Sequence, residues 1–323
     1  MTVQHARESL NVSVRPLAET DLDAADRIFR LAFGTFIGLP DPATFAGDAD
    51  FIRTRWRADP SAVFGAYVDG ELAGSNIACC WGTVGFFGPL TIRPDLWDRG
   101  IGKQLLQPIM ACFDRWGTRH AGLFTFPHSA KHLRLYQGFG FWPRFLTALM
   151  SRPVAAAPAE APARWTKLSD AGADRKRLFA ACREITGAIY DGLDLSLEMR
   201  AVAAQQLGDT VLVWRGDDVA AFAVCHCGAG TEAGSGTCYV KFAAVRPGPA
   251  AADDFEQLLA ACDALARERG LQRLHAGVNT ARHEAYVRLL QRGFRTDGQG
   301  VIMEKPNEPG YNRPDVFLLD DWR

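Results

Sequence analysis

The residues of this 323-residue chain most suited to chemistry are two glycines in residues 90–116, where a predicted loop leads directly into a predicted helix. Gly100 and Gly102 bracket the predicted helix start, and apolar residues recur at helical spacing from Ile101 to Trp116. The first amides of a helix lack partners inside it, and the helix dipole adds partial positive charge there. Because glycine has no side chain, a phosphate can approach these amides closely. The spacing indicates a phosphate-binding loop, although a tight turn also accounts for both glycines.

The spacing of the glycines separates this loop from two other phosphate-binding loops. The chain contains no Gly-x-x-x-x-Gly-Lys-Ser/Thr sequence, which excludes a P-loop. Leu105 stands where a dinucleotide-binding Gly-x-Gly-x-x-Gly sequence would have its third glycine, so that fingerprint fails too.

A second motif lies downstream, in residues 129–141. Ser129 begins a predicted short helix, and Tyr136 lies on one face of it. Gly140 suits the left-handed residue that ends a helix, and Phe141 then begins a strand.

The two motifs together resemble those of the GCN5-related N-acetyltransferase (GNAT) superfamily, over roughly residues 10–150. That family has a strand ending in Val-x-Pro, then Gln/Arg-x-x-Gly-x-Gly/Ala at a helix start, and later Asn-x-x-Ala-x-x-Leu-Tyr-x-x-x-Gly-Phe. The corresponding segments here are 91–94, 97–102 and 129–141. This chain departs from the family pattern at three positions, where Gln or Arg, Asn and Ala are replaced by Trp97, Ser129 and His132.

The resemblance implies an α/β fold (α+β, with a mixed sheet) and acetyl-CoA as cosubstrate. The pantetheine arm would pair with a splayed strand, and loop amides would hold the pyrophosphate. Tyr136 is the implied catalytic acid, which protonates the leaving thiolate. The implied acetyl-CoA contacts are Leu90, Thr91, Ile92, Trp97, Asp98, Arg99, Gly100, Ile101, Gly102, Lys103 and Ser129.

Several of these residues also have a purely structural interpretation. Ser129 is a favourable helix cap, Arg99 a surface charge, and Tyr136 a residue packed on the sheet. The carboxylate of Asp98 is unfavourable near phosphate, so we expect it to point to solvent.

The general base is not fixed by the sequence. Residues 79–92 contain no carboxylate, although many family members carry a Glu on this strand. The alternatives are Asp95, His128, a residue of the second half, or a water relay. His128 follows a predicted strand end near the cleft, which favours it over His132.

The second half repeats the order of elements found in the first, which indicates a tandem duplication. Arg246-Pro247 and Gly293-Phe294 correspond to Arg93-Pro94 and Gly140-Phe141. The second copy has lost the phosphate loop and the tyrosine, because its corresponding positions hold Pro249, Asp253, Asp254 and Leu289. We therefore predict two tandem GNAT-like acyl-CoA N-acyltransferase domains. Residues 1–150 would bind acetyl-CoA, 151–165 would form an Ala/Pro linker, and 166–323 would be the degenerate copy.

Composition narrows the function further. With 36 basic and 37 acidic residues, the chain lacks the basic excess of a nucleic-acid binder. The polar N-terminus has no apolar signal core and no membrane span is predicted, so the cytoplasm is expected. Cys225-His226-Cys227 fits a strand better than a metal site. The predicted function is acetyl-CoA-dependent N-acetylation of a small amine by direct attack on the thioester; the alternative is a non-catalytic acetyl-CoA-binding regulator. The acceptor and the oligomeric state stay open.

Overall fold

The computed structural model describes residues 11–154 and 164–323. Alternating strands and helices build the first half. Its strands are β1 (Val12–Pro16), β2 (Val63–Val68), β3 (Glu71–Trp81), β4 (Val84–Phe87), β5 (Thr91–Ile92), β6 (His120–Thr125) and β7 (Trp142–Pro153). Its helices are α1 (Leu22–Ile37), α2 (Ile52–Ala58), α3 (Ile101–Trp116) and α4 (Ala130–Gln137).

The second half follows the same plan. Its strands are β8 (Trp165–Lys167), β9 (Gly208–Arg215), β10 (Asp218–Gly228), β11 (Gly234–Val245), β12 (Arg273–Asn279), β13 (Arg295–Lys305) and β14 (Leu318–Leu319). Its helices are α5 (Arg175–Ile189), α6 (Ser196–Gln205), α7 (Ala251–Glu268) and α8 (His283–Gln291). Over the two described ranges, no helix is both long and apolar enough to cross a bilayer.

The strands form one mixed sheet, in the order β1-β2-β3-β4-β6-β13-β7-β12-β11-β10-β9-β8. The pairs β4–β6 and β11–β12 are parallel, and the other neighbours along this path are antiparallel. The predicted mixed α/β fold is confirmed.

The two halves exchange strands at the centre of the sheet. Strand β13, from the second half, lies between β6 and β7 of the first, with Met303 opposite Leu123. Strand β7 in turn lies between β13 and β12, with Leu149 opposite Gly277. Of the predicted linker, residues 151–153 belong to β7, whereas 155–163 lie outside the described residues. Each half therefore completes the sheet of the other.

Helices cover both faces of the first-half sheet. Ile77 packs with α1 residues such as Phe29, whereas Ala78 packs with α3 residues such as Leu106. Because consecutive strand residues point to opposite faces, α1 and α3 lie on opposite sides of β3. The second half also packs on the α1 side of this sheet, where the rings of Trp81 and Phe242 lie 5.3 Å apart between centroids.

The sequence alone predicts a helix from about Pro42 to Ala58, and this prediction is wrong over residues 45–51, because the α-helix begins only at Ile52. Ala46 and Gly47 have left-handed φ angles of 64° and 55°, which interrupt an α-helix. The segment instead contacts the second half, where the Ser235 amide donates to the Asp48 carboxylate at 2.8 Å. Tertiary contacts here outweigh the local pattern.

Candidate active site

Strands β4 and β6 separate part of the way along their length. Their parallel pairing covers Val84–Phe86, although β6 continues to Thr125. After Gly88 the chain instead pairs with β3, through Thr91 opposite Ser75. This leaves an interval, here called the β4–β6 gap, between residues 88–92 and 123–125. Strand-like ligands bind at such unpaired backbone.

The predicted phosphate loop lies beside this gap, at the start of α3. Gly100 adopts φ 80° immediately before the helix and, as the N-cap residue, has no side chain to cap the first amides of α3. Gly102 is buried, and a Cβ on it would lie 3.2 Å from the Ile92 side chain, so the loop packs closely on β5. The loop thus offers uncapped helix amides to an anion.

Side chains brace the loop from outside. The Trp97 indole donates to the Ile92 carbonyl at 2.8 Å. Lys131, from α4, pairs with the Asp98 carboxylate at 2.7 Å and lies 5.7 Å from the centre of the Trp97 ring. The Asp98 side chain is exposed, as predicted, and its pairing with Lys131 connects the loop to α4.

Tyr136 lies on α4 and is buried against Phe87, with ring centroids 5.7 Å apart. Burial raises the pKa of its phenol well above the ordinary value, and a hydrogen bond with Thr125 opposes this only in part. Thr125 is the last residue of β6, so the phenol lies next to the β4–β6 gap. A protonated phenol at this place can donate a proton to a leaving group.

Ser129 acts as the N-cap of α4, and its hydroxyl accepts from the His132 amide at 3.4 Å. The capping interpretation is therefore confirmed. Leu90 and Ile92 are half-buried and Thr91 is buried, while Arg99 and Lys103 are exposed at the loop.

The candidate bases differ sharply in their surroundings. Asp95 is exposed, and its hydrogen bond from Arg93 lowers the pKa of the carboxyl, which makes it a weak base. His128 is exposed. The His132 ring packs on Phe36 at 4.9 Å, burial lowers its pKa, and its Nδ1 is buried without a hydrogen-bond partner. His132 is therefore a neutral imidazole at pH 7.

The corresponding gap in the second half is occupied by the chain itself. Strands β11 and β12 pair only from Thr237 to Val240 on β11. Beyond that point β14 pairs with β11, with Leu319 opposite Ala243. The tail then reaches the first half, where the Trp322 ring stacks on Phe86 at 6.1 Å.

Sequence reasoning did not detect a buried ionic cluster between the halves. Arg55 binds Glu232 through two hydrogen bonds of 2.8 and 2.9 Å, and Lys241 binds Glu232 at 2.7 Å and Glu198 at 3.0 Å. His226 lies 3.6 Å from Glu198. A small cavity beside this cluster is lined by both halves. The partners of this cluster are far apart in sequence, so no motif contains them. The sequence offered one local indication, which is that charged residues such as Lys241 stand within apolar segments.

The separated parallel strands β4 and β6 and the glycine loop at the start of α3 are typical of the GNAT fold. The model of the acetyltransferase (GNAT) family matches residues 26–141, so the first half contains a domain of that family. No curated protein sequence matches the chain.

Solved structures share the fold along almost the whole chain. A proposed acetyltransferase from Pyrococcus horikoshii is 13% identical, with 97% of each chain covered and a TM-score of 0.67. A GCN5-related N-acetyltransferase from Sphaerobacter thermophilus is 18% identical, covering 91% of this chain and 95% of that one, with a TM-score of 0.60. At these identities the likeness shows the fold alone. Both halves are therefore part of an architecture that other proteins possess.

Proposed function

We propose that this protein transfers an acetyl group from acetyl-CoA to a small amine, and that its first half alone binds acetyl-CoA. The match of residues 26–141 to the GNAT family model supports acyl-CoA N-acetyltransferase activity in general. The β4–β6 gap, which lies between the uncapped start of α3 and the buried Tyr136, is the observation that carries the more specific proposal.

The proposed donor site uses mainly backbone groups. The pantetheine arm lies along Leu90, Thr91 and Ile92, where an amide also polarises the acetyl carbonyl. The pyrophosphate binds the amides of residues 99–103, with added charge from Arg99 and Lys103. Trp97, Asp98 and Ser129 hold this site in shape, through the contacts to Ile92, Lys131 and the start of α4.

The proposed reaction is a direct transfer. The neutral amine nitrogen forms a bond to the acetyl carbon, the carbon–sulfur bond breaks, and Tyr136 gives its proton to the departing thiolate. The proton that the nitrogen loses passes to the general base or to water, and solvent then restores the proton of Tyr136. Burial raises the pKa of Cys79 to about 12 and also raises that of Cys80, so both thiols stay protonated at neutral pH. Protonated thiols are poor nucleophiles, which supports direct transfer over an acetyl-cysteine intermediate.

Two features of the second half support a single donor site per chain. Strand β14 occupies the gap that corresponds to the proposed pantetheine site, and Leu289 stands in the position of Tyr136. Both observations support the assignment of residues 166–323 as a copy that does not bind the donor.

Calorimetric titration with acetyl-CoA, followed by a thiol-release assay over a panel of small amines, tests the proposal. We expect one acetyl-CoA per chain and thiol release that depends on an amine. Binding without turnover on any amine would support a regulatory acetyl-CoA-binding protein instead. Absence of acetyl-CoA binding would contradict both functions.

A further inference from the structure

The cavity between the halves is the strongest unassigned feature of the described residues. Its walls come from α2 and β3 of the first half and from α6, β10 and β11 of the second. We propose that this cavity binds the acceptor, and that it selects a small primary ammonium compound with a neighbouring hydroxyl group. This inference rests on the proposed acetyl transfer and adds the place and class of the acceptor.

The cations of the cavity are already satisfied by the protein. Arg55 donates to both Glu232 oxygens and, at 2.8 Å, to the Gly88 carbonyl. The Lys241 ammonium lies between Glu232 and Glu198. A ligand anion would therefore have to displace buried ion pairs, which is costly.

Glu198 is the group with spare capacity for a cation. Burial by itself would raise its pKa, but the Lys241 ammonium and the His226 imidazole outweigh this and lower the pKa to about 2. The carboxylate is thus ionised at neutral pH, and its contacts with Lys241 and His226 both involve Oε1. A carboxylate can accept several hydrogen bonds, so Oε2 is suited to an ammonium donor.

His226 supplies the second polar atom. It is fully buried, and its Nδ1 accepts from the Glu232 amide at 3.3 Å, which places the proton of a neutral ring on Nε2. His226 lines the cavity, and its Nε2 lies 3.6 Å from Glu198 Oε1, too far for a full hydrogen bond, with no other partner. A ligand hydroxyl oxygen can accept from Nε2 while the ammonium donates to Glu198. The bound ammonium then gives up a proton to water before its nitrogen attacks the acetyl carbon. An amino alcohol carries both groups.

The cavity adjoins the proposed transfer point. Arg55 lines the cavity and holds the carbonyl of Gly88, two residues before Leu90. Cys79 lines it as well, and pairs with Phe86 at the last position where β4 and β6 are joined. The second half, which binds no donor in our proposal, thus completes the acceptor site.

Three probes of similar size test the selectivity: ethanolamine, ethylamine and ethylene glycol. We expect acetylation of ethanolamine with the lowest KM, of ethylamine with a higher KM, and no binding of the glycol. In Glu198→Gln, the KM for ethanolamine should rise at least about tenfold, which is the loss of one modest ion pair. The acetyl-CoA Kd should stay within about twofold. Glu184→Gln, an exposed carboxylate on α5, is the matched control.

A second variant covers the case in which Glu198→Gln does not fold. Ala58 is exposed at the cavity on α2, so Ala58→Trp should block the cavity and leave the core intact. Ala204→Trp, on an exposed position of α6 outside the lining, is its control. We expect the KM for ethanolamine to rise in Ala58→Trp alone.

The outcomes separate the two proposals. Turnover of amines with an unchanged KM in both folded variants would overturn the acceptor site and leave acetyl transfer intact. If no amine is acetylated, calorimetry with ethanolamine decides the cavity by itself: binding that Glu198→Gln or Ala58→Trp weakens supports it, and no binding overturns it.

Discussion

Tyr136 combines a buried ring with a hydroxyl that is hydrogen-bonded to the end of β6. Tyr136→Phe keeps the ring contacts and removes the transferable proton. We expect kcat to fall about a hundredfold, the usual scale of general acid catalysis, with the acetyl-CoA Kd unchanged. Steady-state kinetics and calorimetry measure the two values. Tyr286→Phe on α8 is the control, and an unchanged kcat in Tyr136→Phe would remove the acid role.

His132 is the better-placed base of the two histidines beside Phe36, because it is half-buried and has a free Nδ1. An imidazole accepts a proton only when neutral, and burial lowers the pKa of His132 below its usual 6.5. If it is the base, kcat/KM should stay high as the pH falls and decline only below pH 6.5.

His132→Gln should remove this acidic decline and lower kcat/KM, whereas His128→Gln should leave the pH profile as it is. A profile that changes only in His128→Gln would support the original preference for His128.

At this scale, the sequence predicted residues whose roles depend on local structure. Ser129 at a helix start and Gly140 with positive φ belong to this group. It did not predict Arg55–Glu232, because these partners are 177 positions apart and neither belongs to a motif.

The donor binding that we propose depends on the start of α3. In Gly100→Val, a β-branched residue is forced to φ 80°, which should shift the first turn and its amides. We expect the acetyl-CoA Kd to rise at least about tenfold by calorimetry.

Gly117 at the other end of α3 provides a matched control, with φ 64° and open space around it. Gly117→Val introduces comparable backbone strain far from the loop and should spare binding. Equal effects of the two substitutions would indicate loss of helix stability, not of a binding loop.

At the scale of elements, hydrophobic periodicity located most of the first-half strands and the long helices α3 and α7. It gave no prediction for β13, whose sequence contains Gly298 and Gly300. The packing explains the second glycine, because a Cβ there would lie 2.2 Å from the Phe124 ring. Hydrophobic periodicity reports only neighbours in sequence, so it cannot predict a contact with the other half.

The exchanged strands connect the halves of the whole molecule. A protease site inserted within residues 155–163 and then cleaved should leave the two fragments together, because β13 and β7 lie inside the partner's sheet. We expect a single peak on size exclusion in native buffer and two separate fragments in denaturant. The uncut protein is the control. Separation in native buffer would contradict the exchange.

The sequence revealed the duplication, since both halves repeat the same order of elements. It did not reveal that the halves exchange strands. The two halves have similar sheets, so strand β7 or β13 could pair equally well within its own half or with the other half. Which edge is used depends on how the halves pack, and that is a property of the folded molecule.

The exchange also limits how such a protein can diversify. A gene fragment encoding one half would carry a strand whose neighbours are encoded elsewhere, and would lack the strand that fills its own sheet. Shuffling one half into another gene would therefore yield an incomplete product. We expect the two copies to be inherited and to vary as a pair, even though only one of them binds the donor in our proposal.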